Sequence, residues 1–433
     1  MALITVTAGS FVAVPDVTGQ LHGTSPDGAV PRYLYALLNA AFWRTSGGYS
    51  EQDDGYTNYL ASFPDPATRP KPIVVFSDWY LNVYLGQQVI TTLPSDTALR
   101  TVVDGWYDGL TDLPEGAIID IVNEPDQPTN KEGVWGLSYA SYSHFFYIVA
   151  SELKSLNPAQ QVCGPSVTKY ETGGKTWITS LCSDMAAQMP VVSLDWINWH
   201  EENIHTTPTT VYGNITDAAS TIVPDYTSIS LLGCMVNEYG PQLEYQSPGM
   251  MLAYITEMES AGLSIACRTC WGNPTSMTSA CFDNVSISGL LSFDGQYVPQ
   301  GIYEVYRHLG VSKGKRVDVS SDDSTLAAMA YAESNASGVT KITAIVGAWE
   351  GTLFSAAPVV TLAVSGLPDG PALWAYDVLD QAQHGLGHRW TRQAPAIVSS
   401  GEVSVGLPTI QYGQAIVVEV GAIAPPATGA GSG

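Results

Sequence analysis

From about residue 30 to residue 310, short apolar runs rich in β-branched residues alternate with longer amphipathic stretches. Such alternation marks βα units around a parallel sheet. The helical stretches are PRYLYALLNAA, DDGYTNYLASF, SDTALRTVVDGWYDGL with its Ser-Asp start, and YASYSHFFYIVASELKSL, which Asn157-Pro158 stops. QGIYEVYRHLG closes the series. The strand-like runs are AFWRTSGG, KPIVVFSDW, AIIDIVNEP, QQVCGPSV, SLDWINWHEE, LLGCMVNEYG and SIACRTCWG. With a first strand near Val17–His22 they make eight, the number that closes a barrel. After Gly310 the texture becomes short alternating strands broken by Gly, Pro, Asp and Asn, a β-sandwich pattern. The expected architecture is of the α/β class. It has an N-terminal strand (1–15) pairing into the sandwich, a (β/α)8 TIM barrel (16–311), a β-sandwich (312–423) and a flexible tail (424–433).

Composition changes this picture only at the edges. The 45% hydrophobic content supports a large core, and no apolar run approaches the roughly 20 residues of a membrane span. With 17 basic against 41 acidic residues, the net charge of −24 argues against nucleic acid and anionic membranes as partners. A neutral or weakly charged ligand is expected; the sequence does not address oligomeric state. Asn214-Ile-Thr, Asn284-Val-Ser and Asn335-Ala-Ser match the glycosylation pattern, and lysine is sparse. Both point to a secreted, extracellular protein whose signal segment has been removed. The six cysteines form no paired zinc pattern. Cys270 and Cys281 flank a loop after the eighth strand and are candidates for a disulfide; a Cys163–Cys182 bridge is a weaker candidate, and buried thiols are the bland alternative.

The chemistry sits at two strand ends carrying the same dipeptide. IIDIV runs into Asn123-Glu124-Pro125, and GCMV runs into Asn237-Glu238-Tyr239. A carboxylate directly after an apolar strand loses hydration and gains no packing, so a structural reason for two of them is hard to find. On the fourth and seventh strands of a barrel, both lean over one mouth. Paired carboxylates are what glycosidic cleavage needs, one to protonate the leaving oxygen and one to attack the anomeric carbon. Because both glutamates follow their strands immediately, they are expected at one height and near 5 Å apart, the spacing of a retaining mechanism.

The Asn-Glu-Pro after strand four and the Glu after strand seven resemble clan A glycoside hydrolases, and the surrounding segments are most similar to family 39, the β-xylosidase and α-L-iduronidase family. The similar segments are Phe42-Trp43-Arg44-Thr45, Val162-Cys163-Gly164-Pro165, Asp195-Trp196-Ile197-Asn198-Trp199-His200, Phe293-Asp294-Gly295 and Ile302-Tyr303-Glu304-Val305-Tyr306. The resemblance implies Glu124 as acid/base, Glu238 as nucleophile, Asn123 on the sugar 2-hydroxyl and Trp271 lining the sugar site. It departs where Tyr239 follows Glu238 and where strand six ends in Glu201-Glu202-Asn203.

Other candidates follow from position. Arg44 can steady the nucleophile as a fixed cation or serve a structural salt bridge. His200 can bind a sugar hydroxyl or a catalytic carboxylate, or be a core histidine. Trp79, Trp199 and Tyr239 are aromatic candidates for sugar contact, and Asp78 a subsite contact. His200 and His205 are spaced i,i+5, one residue too far for a zinc-protease pair, and no metal or cofactor is expected. The function expected is a retaining hydrolase of a plant, algal or microbial oligo- or polysaccharide, β-xylosidase-like. The alternatives are a clan A β-glucuronidase or endo-acting glycanase and, from another class, a non-catalytic carbohydrate-binding barrel. A glucuronide would require cations at the mouth, where the candidates reduce to Arg44, Lys169 and Arg268.

Overall fold

The computed structural model describes residues 2–21, 24, 30–46, 55–76, 90–127, 135–202, 206–240, 247–269, 287, 289–293, 296–350, 359–380, 390–392 and 395–423. The chain divides into two compact units. One consists of Pro15–Tyr245 and Glu257–Tyr297, the other of Met1–Val14, Gln246–Thr256 and Val298–Gly433. Strands are numbered along the chain from β1 (Ala2–Phe11), which belongs to the second unit.

In the first unit, eight strands among the described residues close into a parallel barrel. They are β2 (Gly19–Leu21), β3 (Phe42–Ser46), β4 (Lys71–Val75), β5 (Ile118–Asp120), β6 (Gln161–Val167), β7 (Trp196–Glu201), β8 (Gly233–Tyr239) and β9 (Ile265–Arg268). Leu21, Ile73, Ile118, Cys163, Met235, Ile265 and Cys267 fill the interior. The strand period of two then decides what lies above them. Two residues beyond Phe42 comes Arg44, two beyond Ile118 comes Asp120, and two beyond Met235 comes Asn237. An apolar layer is thereby followed, toward the C-terminal ends, by a charged one.

Two irregularities shift this alternation. Between β6 and β7, Pro165 pairs with Asn198 and Val167 with Trp199, leaving Ser166 over, at φ 56°. Between β7 and β8, Trp199 pairs with Val236 and His200 with Glu238, leaving Asn237 over. Each extra residue re-aims the side chains after it, the usual effect of a bulge.

The helices around the barrel follow their sequence signals. Ser95 caps the helix Asp96–Gly109 by accepting from the Ala98 N–H, and Leu99, Val102, Val103 and Trp106 form its buried stripe. The spacing of three and four residues is that of one helical face. Ser138 caps Tyr139–Leu156 in the same way; such a cap is worth about 1 kcal/mol.

The short strands β10 (Leu291–Phe293) and β11 (Tyr297–Pro299) pair with each other. The second unit is a β-sandwich. Its strands are β1, β12 (Arg316–Ser321), β13 (Leu326–Asn335), β14 (Gly338–Ala348), β15 (Val360–Ser365), β16 (Gly370–Leu379), β17 (Thr391–Arg392), β18 (Ala396–Val398), β19 (Glu402–Gly406) and β20 (Ala415–Ala422). Among the described residues they form one hydrogen-bonded path, β17-β16-β20-β14-β13-β12-β1-β15-β19, with β18 on β16. Because β18 pairs at one end of this path and the next strand, β19, at the other, the path doubles back over a shared apolar core. The first strand is internal to it: β1 runs antiparallel to β12 and parallel to β15, with Ala2, Ile4, Val6 and Ala8 turned into the core.

Among the described residues Cys163, Cys182, Cys234 and Cys267 are buried free thiols, so the Cys163–Cys182 bridge is not formed. Cys270 and Cys281 lie outside the described residues. Of the sequons, Asn335 is exposed at the end of β13 and Asn284 lies outside the described residues. The Asn214 amide donates to Glu201 Oε1 at 2.7 Å, which turns it toward the protein rather than toward a glycan.

Candidate active site

Arg44 is the centre of the charged layer. Its Nε and Nη2 donate to Asp120 Oδ2 at 3.1 and 2.7 Å, Nη1 donates to Glu238 Oε1 at 2.5 Å, and Nη2 also donates to Asn123 Oδ1 at 2.8 Å. Arg44, Asp120 and Glu238 are each no more than 2% exposed. A desolvated charge is tolerated only with partners, and the rigid guanidinium fork supplies them on both sides. Asp120 Oδ2 further accepts from Ser166 Oγ at 3.0 Å and Asn237 Nδ2 at 2.8 Å, while Asn237 Nδ2 also donates to Ser166 Oγ at 2.7 Å. The two residues left over by the bulges therefore meet at this carboxylate.

Glu124 reaches the same space from a different backbone. Strand β5 ends at Asp120, so Glu124 does not follow its strand immediately, as the sequence suggested; it sits in the turn beyond, at φ 45°. Left-handed backbone is unfavourable for a non-glycine residue and is held here by its surroundings. The Glu124 N–H donates to the Ser166 carbonyl at 2.9 Å, and Asp126 accepts from Thr168 N–H and Oγ1, each at 2.9 Å. Gln127 Nε2 donates to Glu124 Oε2 at 2.6 Å. The Glu124 side chain is 15% exposed against 2% for Glu238, so one carboxyl opens to solvent and the other does not.

One imidazole links the two. His200 Nδ1 is 3.0 Å from Glu124 Oε1, and Nε2 is 3.6 Å from Glu238 Oε1. Burial alone would depress the ring's pKa, but Glu238 and the hydrogen bond to Glu124 outweigh it, and the net direction is upward. A fourth carboxyl, Glu202, follows β7 and lies within hydrogen-bonding reach of Glu238; burial and the nearby Glu238 and Glu124 hold it well above the usual carboxylate range. On the opposite face of β7, burial pushes Glu201 up to about 7.

Of the residues singled out from sequence, the structure brings together Glu124, Glu238, Asn123, His200 and Arg44. It turns Trp199 and Tyr239 away. Trp199 alternates with Asn198 and His200, is fully buried, packs on Tyr170 with ring centroids 4.8 Å apart and donates to Glu201 Oε1 at 2.6 Å. Tyr239, paired with Glu201 and fully buried, shares that outward face. Neither offers a ring to a sugar. Asp78, Trp79 and Trp271 lie outside the described residues. The sequence reading missed Asp120 and Ser166, and met Glu202 only as a departure from the family pattern. Asp120 was open to the argument applied to the glutamates, being a lone carboxylate within the apolar run IIDIV. Ser166 carries no signal of its own, because its role depends on a bulge.

Ligand atoms of Glu124, His200 and Glu202 fall within 4.8 Å of one another, a spacing that could enclose a cation. However, the 3.0 Å contact between His200 and Glu124 is a hydrogen bond that a cation would have to replace. What the arrangement offers directly is acid/base and nucleophilic chemistry: a buried carboxylate clamped by a guanidinium, and a more open carboxyl hydrogen-bonded to an imidazole.

No family model matches the chain, and no curated protein matches it in sequence. Solved structures do match in fold. A protein from Neocallimastix frontalis is 16% identical with a TM-score of 0.71, over 98% of this chain and 100% of that one. A glucosidase from Croceicoccus marinus is 13% identical with a TM-score of 0.68, over 98% and 100%. A family 39 β-xylosidase from Caulobacter crescentus is 12% identical with a TM-score of 0.61, over 97% and 100%. At such identities the likeness concerns the backbone, and it extends over both units: the chain has the fold of these proteins, a (β/α)8 barrel joined to a β-sandwich.

Proposed function

We propose that this chain is a retaining O-glycoside hydrolase of family 39 type, with Glu238 as nucleophile and Glu124 as acid/base. The observation that carries this reading is the pair of carboxyls at the C-terminal ends of the fourth and seventh barrel strands, Glu124 beyond β5 and Glu238 within β8, linked by one imidazole and differing in exposure. Glu238, with Arg44 donating at 2.5 Å, is suited to stay ionised and attack the anomeric carbon. Glu124, open to solvent, is suited to give a proton to the leaving oxygen and later take one from water. Retention is supported by crowding. Glu202 lies within hydrogen-bonding reach of Glu238, and its ligand oxygen lies within 4.8 Å of those of Glu124 and His200. An inverting site needs its carboxyls roughly 6.5–9.5 Å apart to seat a water.

A neutral sugar of a plant, algal or microbial glycan, xylose-like by family resemblance, is the substrate class we favour, and the structural neighbours include a glucosidase and a β-xylosidase. A glucuronide would need a cation, yet Arg44 is committed to two carboxylates, Lys169 pairs with Glu171 at 2.8 Å and Arg268 is fully buried. The exposed Asn335 sequon fits an extracellular setting. A panel of nitrophenyl glycosides, assayed with the parent and with Glu238→Ala, tests the reading. Turnover of at least one glycoside that disappears in the variant supports it. Absence of turnover on every member, together with sugar binding, would instead make the chain a carbohydrate-binding barrel.

A further inference from the structure

Glu202 stands where the barrel has no obvious need for another acid. Across β7 and β8, His200 pairs with Glu238 and Glu201 with Tyr239. Alternation therefore sends His200 inward, Glu201 outward and Glu202 inward again, above Glu238. The Glu202 carboxyl lies within hydrogen-bonding reach of Glu238, and its Oε2 is buried with no hydrogen-bond partner among the described residues.

Two carboxylates have only acceptors, so a hydrogen bond between them requires a proton on one. The surroundings decide which. Arg44 donates to Glu238 at 2.5 Å and favours its ionised form. An ionised Glu202 would bury a negative oxygen without a donor, which is costly. The charge balance agrees. Asp120, Glu124, Glu202 and Glu238 are four carboxyls, and Arg44 and His200 are cationic partners in contact with them. The groups facing Glu202 are Glu238 from β8, Glu124 from beyond β5, His200 from β7 and Arg44 from β3, with Asp120 behind Arg44 and Asp126 behind Glu124. Burial first, then Glu238 and Glu124, hold Glu202 well above the usual carboxylate range, against a smaller opposing effect of Arg44.

We propose that Glu202 is a positioning residue kept as a neutral acid, whose O–H donates to the Glu238 carboxylate and fixes it for attack. The site is then a three-carboxyl device. Arg44 and Glu202 hold the nucleophile from two sides, while His200 and Glu124 share the proton that the leaving group requires. The catalytic part of this inference rests on the function proposed above; the protonation of Glu202 does not.

The test uses the full chain with Glu202→Gln, which keeps an N–H donor and cannot ionise, and Glu202→Ala, which loses the donor. The first readout needs no substrate. A carboxyl whose folded-state pKa is raised contributes stability that is fully present below its unfolded value, 4.5, and is lost as pH rises through the folded value. The parent should therefore lose melting temperature relative to Glu202→Gln as pH rises from about 5 to about 8, by several degrees. Parallel curves, or a gap that opens toward low pH, would overturn the proposal. The second readout is turnover. Glu202→Gln should keep kcat within about threefold, while Glu202→Ala should lower kcat at least about tenfold with little change in KM, as for loss of one preorganised donor. A Gln variant as poor as the Ala variant would show that Glu202 acts ionised and would overturn the proposal. If no glycoside is turned over by the parent, the functional reading fails, and the melting curves still decide the state of Glu202.

Discussion

Replacing Arg44 by leucine isolates the interaction on which the site depends. The substitution leaves Asp120, fully buried, and Glu238, 2% exposed, facing each other with no guanidinium between them. Removing one partner of a buried pair costs about 3–5 kcal/mol, chiefly because the remaining charge stays desolvated. Asn123 and Asp120 also lose donors at 2.8 and 2.7 Å, so the upper part of that range is expected. At about 2–4 °C per kcal/mol for a unit of this size, the barrel should melt roughly 6–20 °C lower. Because the chain has two compact units, a single melting curve can mix them. Hydrogen exchange followed by mass spectrometry on peptides covering β3, β5 and β8 reads the barrel alone. The companion variant Asp120→Asn removes one of the stranded charges. In a double-mutant cycle, Arg44→Leu should therefore cost about 2–3 kcal/mol less in the Asp120→Asn background than in the parent. A loss under about 1 kcal/mol for Arg44→Leu, or strict additivity with Asp120→Asn, would refute the claim that these charges form one desolvated unit.

Three further outcomes are expected. Glu238→Ala should abolish turnover of all glycosides, whereas Glu124→Ala should still turn over aryl glycosides with good leaving groups and be accelerated by azide, with both rates read by nitrophenol release; azide rescue of the Glu238 variant with retained configuration would reverse the roles. Glu201, raised by burial to about 7 despite bonds from Asn214 and Trp199 to Oε1, contributes stability that is full below 4.5 and lost as pH climbs through 7. Glu201→Gln keeps that acceptor and should gain about 3 kcal/mol on the parent between those limits, as seen by urea unfolding at several pH values, and no such gain would mean Glu201 is ionised throughout. In the sandwich unit, a Cβ on Gly249 would lie 2.4 Å from the Ala348 carbonyl oxygen and 2.5 Å from that of Gln414, so Gly249→Ala should cost about 1–3 kcal/mol, and a neutral result in calorimetry would show that the backbone there is not closely packed.

The parts of this molecule legible in the sequence are those governed by local periodicity. Apolar runs such as KPIVVFSDW and SIACRTCWG report strands, and Ser95 and Ser138 report helix starts, because a few neighbouring residues fix each of these features. Glu124 and Glu238 were visible for the same reason: an acid against an apolar run stands out locally. What stayed hidden depends on where the period slips. The residues left over at Ser166 and Asn237 bring two polar side chains onto Asp120, and no pattern of apolar and polar positions marks such an insertion. Trp199, by contrast, is kept from the inner face by strict alternation around His200, which commits it to the helix side. The place of β1 beside β15 is likewise beyond local pattern, because it pairs residues more than 350 positions apart, as in Ala2 with Val360. Glu202 was noticed only as a departure from a family pattern, and its meaning depends on the Glu238 carboxyl across the neighbouring strand.

The double displacement proposed at Glu238 is tested by the anomeric configuration of the first-formed product. Proton NMR on a glycoside that the panel identifies as a substrate, recorded before mutarotation, distinguishes the two courses. Attack by the Glu238 carboxylate followed by water predicts a product with the substrate's own anomeric configuration. Appearance of the opposite anomer first would mean that water attacks directly, and would contradict the assignment of Glu238 as nucleophile.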